Sequence, residues 1–291
     1  MFFILFLNIN YLMIASSNNN MDIVNILLSQ PEYTISENIF RCCKMNKFTI
    51  PNMKTVISEC SFRNCKFLTE INLPPSLTKI ENNAFYECSS LRQIEIPSSV
   101  TEIGKYCFCK CSSLRTVNLL CSITELKEST FDECWSLIKI ELPSSLTKIG
   151  RYCFGSCTSL PNIIIPSSVT EIEKSAFNLC KKMVTISLPS SIIEIKDDTF
   201  ANCHSLSELV IPSSVTKIAK RVFDHCTSLK EIVIPSSVTM IELNAFSNCS
   251  SLFTVKVQTP SSLNYIGSRS FEQCESLIEI SFPSSTTSFG C

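Results

Sequence analysis

Cys88 to Phe108 reads CSSLRQIEIPSSVTEIGKYCF, and nearly the same text returns every 23 residues along most of the chain. Cys65, Cys88, Cys111, Cys134, Cys157, Cys180, Cys203, Cys226 and Cys249 keep that spacing, and the step to Cys274 is 25. A fixed period of this size marks a solenoid, in which each coil packs on its neighbours and not around a central core. The 291 residues therefore count coils, although their number alone would suggest about two domains.

Within one unit, Ile94 and Ile96 alternate with Gln93 and Glu95, as in a strand with one face buried. Pro97 lacks an amide donor and ends that strand. Ser98 and Ser99 form the corner, with hydroxyls suited to local backbone bonds. Val100 and Ile103 point inward from a second short extended segment, and Gly104 relaxes the turn that follows. Tyr106 to Cys111 has the length of one helical or 3-10 turn that buries Phe108 and Cys111. A serine column, Ser90, Ser113, Ser136, Ser159, Ser205, Ser228, Ser251 and Ser276, precedes the core leucines and reads as a ladder that satisfies turn amides.

The consensus L-x-x-I-x-I-P-S-S-V-T-x-I-G-x-x-A-F-x-x-C, carried by residues 39–291 in about ten copies, resembles the BspA-like leucine-rich repeat family. That resemblance implies a leucine-rich-repeat solenoid, β-rich, with one parallel sheet and short helical or 3-10 turns, and it brings the family's surface-antigen role with it. Departures are local. Leu120-Cys121 replaces the Pro-Ser corner, Met183 replaces a core leucine, and Gln258-Thr259 lengthens one corner by two residues. The array begins with Ile39, Cys42, Met45, Phe48, Ile50 and Pro51, each 23 residues before a counterpart. Its final copy stops at Phe289-Gly290-Cys291 without the Phe-x-x-Cys half, which means a truncated array or a partly uncovered last coil.

Residues 1–38 form a separate N-terminal segment. The apolar run Phe2 to Leu7 is interrupted by Asn8 and Asn10, short of the ~20 residues a spanning helix needs, so no membrane span is expected. A leader cleaved near Ala15-Ser16-Ser17 would lack the usual preceding Lys or Arg. Leu12 to Leu28 resembles the helix-turn-helix of an ankyrin repeat. Leu12, Ile14 and Ala15 stand in the first helix, Asn18 to Asn20 in the turn, and Ile23, Val24, Leu27 and Leu28 in the second helix; the Thr-Pro-Leu-His opening is missing. This implies a short helical cap over the first coil, joined to it by the connector 29–38.

Chemistry is sparse. With 25 basic and 26 acidic residues there is no basic footprint for nucleic acid. Eleven of the 18 cysteines, Cys42 included, share one column and read as a buried stack of reduced thiols, as in a cytosolic protein. The rung spacing of about 5 Å nevertheless leaves pairing along the column within reach. Cys203, His204, His225 and Cys226 are zinc-competent and lie in adjacent coils, but inward cysteines and outward histidines would not converge. Asp197-Asp198 reads as a solvated turn pair. No metal, cofactor or catalytic group is assigned, and the chain is not expected to be an enzyme.

The strand face carries the functional expectation. Residues flanking the central strand position point outward: Glu70, Asn72, Gln93, Glu95, Asn118, Lys139 and Glu141 first, then Ile164, Ser187, Val210 and Val233. Exposed apolar residues in register mark a contact surface, although β-branched residues also simply favour strands. The candidate face is Glu95, Glu141, Ile164, Val210 and Val233, with the single tryptophan, Trp135, as a further contact. The reading is a non-catalytic, intracellular protein-interaction scaffold that binds a protein or peptide. The alternative is a surface or secreted antigen that binds host protein or glycan. Self-association, end to end or through the C-terminal edge, is a further partner mode.

Overall fold

The computed structural model describes Val24, residues 35–280 and residues 282–290, and the chain folds as a parallel β-solenoid. It forms two compact units: Met1–Ile123 with Lys127–Pro143, and Thr124–Leu126 with Ser144–Cys291. The expected ankyrin-like pair at Leu12–Leu28 lies outside the described residues, apart from Val24, which is buried.

Each coil contributes two strands, where the consensus suggested one sheet. In the first unit the longer strands are β1 (Lys47–Thr49), β3 (Glu70–Asn72), β5 (Gln93–Ile96), β7 (Thr116–Leu119) and β9 (Lys139–Glu141). In the second they are β11 (Asn162–Ile164), β13 (Thr185–Ser187), β15 (Glu208–Val210), β17 (Glu231–Ile234), β19 (Thr254–Val257) and β21 (Glu279–Ile280). The segment after the Pro-Ser-Ser corner pairs as well, through two-residue strands. These are β2 (Val56–Ile57), β4 (Lys79–Ile80) and β6 (Glu102–Ile103) in the first unit. The second unit has β8 (Glu125–Leu126), β10 (Lys148–Ile149), β12 (Glu171–Ile172), β14 (Glu194–Ile195), β16 (Lys217–Ile218), β18 (Met240–Ile241), β20 (Tyr265–Ile266) and β22 (Ser288–Phe289). All pairings are parallel, and they set the inward residues apolar on apolar, Ile94 on Val117 on Ile140 and Ile57 on Ile80 on Ile103. The period of two then fixes which side chains face in, and those isoleucines are all buried.

The third side is not helical. Residues 35–280 and 282–290 contain only strands, an isolated bridge and turns, and each Phe-x-x-Cys half carries two left-handed residues four apart, such as Tyr106 (φ 55°) with Lys110 (φ 63°) and Asp198 (φ 57°) with Asn202 (φ 62°). A helix would satisfy its donors within the coil. Here Tyr106, Phe108 and Lys110 instead donate their N–H to Glu128, Thr130 and Asp132 of the next coil at 2.8 to 3.0 Å. Left-handed backbone costs a non-glycine residue of order 1–2 kcal/mol, and bonding to the next coil offsets it. The strand sides donate in the opposite direction, to the preceding coil, as Thr101 N does to Thr78 O at 2.9 Å.

The interior is a set of rows. Phe40, Phe62, Phe85, Phe108 and Phe131 stack with centroids 4.9 to 5.5 Å apart in the first unit. Phe154, Phe177, Phe200, Phe223, Phe246 and Phe271 do so at 5.1 to 5.8 Å in the second. Beside them the ladder thiols from Cys65 to Cys249 are buried and outside any disulfide. Cys88 donates to Phe62 O at 3.1 Å, Cys111 to Phe85 O at 3.2 Å and Cys226 to Phe200 O at 3.3 Å. Burial pushes the Cys203 thiol up to about 12, so it packs as a neutral group.

Several local expectations need correction. Cys42 is exposed, and Cys43 takes the buried place, because Phe40 and not Ile39 stacks on Phe62; the first coil is one residue out of frame on that side. The corner serines bond across coils, not locally: Ser99, Ser168 and Ser214 Oγ donate to Leu77, Leu146 and Ile192 O at 2.6 to 2.7 Å. In the other serine column, Ser113 and Ser228 use their backbone N–H, to Ser89 and His204 O, while Ser90 Oγ donates to Lys66 O. Its partners are carbonyls, not turn amides. No glycine has a positive φ; a Cβ on Gly267 would sit 2.5 Å from Leu243 N, so glycine serves close approach of coils there and not a turn.

Candidate functional site

On the longer strands the outward residues form two columns, one led by the residue before the central apolar position and one by the residue after it. In the first unit both are polar. Lys47 pairs with Glu70 at 2.7 Å and Lys139 with Glu141 at 3.0 Å, while Asn118 Nδ2 donates to Glu95 Oε2 at 3.2 Å. Glu70, Asn72, Gln93, Glu95, Thr116 and Asn118 line a shallow depression of about 330 Å³. Glu95 and Glu141 thus lie where the alternation placed them, exposed on the same sheet face.

In the second unit the column after the central position turns apolar. Ile164, Ser187 and Val210 are in direct register on β11, β13 and β15. Ile164 is 83% exposed, Val210 78% and Val233, on β17, 37%. Leaving such branched side chains in water forfeits the ~1.5–3 kcal/mol each would gain on burial, which a docked partner would recover. Trp135 is 51% exposed but sits in the turn between Cys134 and Leu137 of the first unit, ahead of β9 and not on a strand.

Sequence reading missed a neighbouring feature. Phe253 (39% exposed) and Ile278 (88%) occupy successive coils just before β19 and β21, joined by an N–H···O bond of 3.1 Å. The signal was present: this column runs Arg92, Arg115, Ile138, Pro161, Val184, Ser207, Lys230, Phe253 and Ile278, and its last two members are both large and apolar.

The two-residue strands carry a self-neutralising ladder. In the second unit Glu171 accepts from Lys196 at 2.6 Å and from Lys148 at 2.9 Å, and these cations, Lys196 first, hold its carboxyl down at about 2. In the first, Glu102 meets Lys127 and Lys79, Lys127 lowering it most. Being exposed, these pairs fix register more than they add stability.

The four groups considered for zinc do not converge. Cys203 and Cys226 are buried and donate to Phe177 and Phe200 carbonyls, whereas His225 Nδ1 lies 2.9 Å from Asp224 Oδ1. Burial, then the charges of Lys181 and His225, lowers the pKa of His204. Among the described residues no cluster could hold a metal ion, and no helix is long and apolar enough to cross a membrane.

Comparison with known proteins agrees with this architecture. Residues 33–161, 124–253 and 251–291 match the BspA type leucine rich repeat region, in six copies; the match does not reach the ankyrin-like stretch. Among solved structures, the chain resembles a leucine-rich repeat protein from Bacteroides ovatus, with 26% identity over 87% of each chain and a TM-score of 0.51. A leucine rich cell surface protein from Faecalibacterium prausnitzii is 32% identical over 77% of this chain, with a TM-score of 0.54, and the match spans 62% of that protein's length. The leucine-rich repeat protein of T. pallidum is 30% identical over 67% of this chain and 81% of that one, with a TM-score of 0.53. No curated protein matches.

Proposed function

The chain belongs to the BspA-type leucine-rich repeat family, and from that premise we propose that it is a non-catalytic binding protein of surface-antigen type that docks a partner protein on the apolar column Ile164, Val210 and Val233. The observation that carries this reading is the exposure of Ile164 and Val210, 83% and 78%, two rungs apart on one sheet face. Parallel pairing holds those side chains in fixed positions, so little ordering entropy is lost when a partner covers them. A surface location is supported by the cell-surface relative at 32% identity. The cytosolic scaffold rests on a different observation, the burial of the ladder cysteines in an apolar stack where they pack as neutral thiols.

Affinity capture with the intact chain and with the double variant Val210→Glu/Val233→Glu tests the docking face. Loss of about 1 kcal/mol or more at each of the two contacts predicts a dissociation constant raised about thirtyfold or more, read as a matching drop in partner recovered below saturation. Equal recovery of the same proteins by both forms would remove this column from consideration. Cell fractionation separates the two locations.

A further inference from the structure

Arg92 and Arg115 stand on neighbouring rungs, joined by Arg115 N to Arg92 O at 2.8 Å, and immediately precede β5 and β7. Both are exposed. Two carboxylates of the same strand face are paired with lysines, Glu70 with Lys47 and Glu141 with Lys139. Like charges on adjacent rungs are unfavourable. Along the two-residue strands the glutamates are instead answered by lysines of neighbouring coils, as Glu102 is by Lys79 and Lys127. The arginine pair forms no such ion pair among the described residues, and it adjoins the 330 Å³ depression lined by Gln93, Glu95, Thr116 and Asn118.

The lining defines the rest of the ligand. Asn118 Nδ2 and Glu95 Oε2, 3.2 Å apart, offer a donor and an acceptor side by side, which suits a hydroxyl group that both donates and accepts. A run of acidic peptide would set its further carboxylates against Glu70, Glu95 and Glu141. A nucleic acid would bring a phosphate at every residue to a face with two unpaired cations among the described residues. One carboxylate on a polyhydroxylated ring meets neither objection. We propose that this face of the first unit binds an acidic glycan, its carboxylate between Arg92 and Arg115 and its hydroxyls over Gln93, Glu95 and Asn118. The site is independent of the docking column, which lies in the second unit.

Isothermal titration of the full chain with 3′-sialyllactose and with a hyaluronan tetrasaccharide tests it. At least one of the two should bind, lactose should bind more weakly than sialyllactose, and Arg92→Gln/Arg115→Gln should raise the dissociation constant about tenfold or more, as loss of charge-assisted bonds does. Added salt should weaken binding to the unaltered chain in the same direction, a check that needs no variant. Val210→Glu/Val233→Glu should leave it unchanged. The proposal fails if neither sugar binds at millimolar concentration or if the arginine double variant binds as well as the parent. It also fails if a penta-glutamate peptide binds more tightly than both sugars.

Discussion

Phe177→Ala should be among the most damaging single changes in the second unit. Its ring is fully buried and lies between Phe154 and Phe200, with centroids at 5.4 and 5.7 Å and interplanar angles of 6° and 9°. Truncating a buried phenylalanine costs about 3–5 kcal/mol through lost transfer energy and the cavity left behind. Two stacked pairs are lost as well, each worth about 0.5–1.5 kcal/mol beyond area, which places the expected cost at about 5 kcal/mol. Phe289→Ala is the matched control, since that ring is 58% exposed and should cost less than about 1 kcal/mol. Urea denaturation followed by far-ultraviolet circular dichroism gives the magnitudes. Hydrogen exchange at Thr199 and Ala201 shows whether the neighbouring coil loosens first, because an array sums coil and interface terms. Equal costs for the two variants, or a loss under about 1 kcal/mol for Phe177→Ala, would refute the row-on-row account of the interior.

Three further outcomes follow from particular groups. Ser99→Ala should cost about 1 kcal/mol in denaturant because its hydroxyl bonds Leu77 O one coil away, while Ser98→Ala should be near neutral; equal effects would mean that the corner is held locally. Burial, then the Glu133 charge, pushes the Asp132 carboxyl up to about 6 from 3.8, so the native state keeps a proton the unfolded chain releases. Stability should therefore fall as pH rises from about 4 through 6, and Asp132→Asn should raise the unfolding free energy at pH 7, by roughly 1 kcal/mol after screening, but not at pH 4. Glu171 acts with the opposite sign: its contribution is complete above its unfolded value of 4.5 and is lost as pH falls towards 2, so Glu171→Gln should flatten that acid limb in a pH-resolved melt. Among the described cysteines, a thiol reagent with mass mapping should label exposed Cys42 first and half-buried Cys274 next, and rapid labelling of Cys88 or Cys203 in the native state would contradict the buried ladder.

What could be read from the letters was whatever recurs as a residue type. The phenylalanine and cysteine rows, the inward isoleucines and the outward faces at Glu95 and Val210 all follow from period and alternation. Bond direction leaves no such mark. Ser99 is suited equally to a local turn and to Leu77 in the preceding coil, and only stacking decides. The left-handed positions are held by Tyr106, Lys110, Asp198, Leu179 and others of no common type, with no glycine to announce them. The first coil misleads for a related reason. Ile39 and Cys42 satisfy the count, but the aromatic stack on Phe62 selects Phe40, one residue on. Trp135 is exposed like the strand-face residues, yet the turn before β9 holds it. Phe253 and Ile278 escape the alternation rule because their column lies just outside the strands β19 and β21.

The opposed hydrogen-bond directions bear on how such a gene can lengthen or shorten. Tyr106, Phe108 and Lys110 reach onward to one neighbour while Thr101 reaches back to the other, and each finds a carbonyl at the equivalent place in the adjacent coil. Excising or duplicating one full 23-residue period therefore re-forms every main-chain bond with a homologous partner, so copy number is free to drift by recombination. Fractional changes are tolerated where the chain rounds the first corner, as Gln258-Thr259 demonstrates with Gln258 N still bonded to Ile234 O at 3.0 Å.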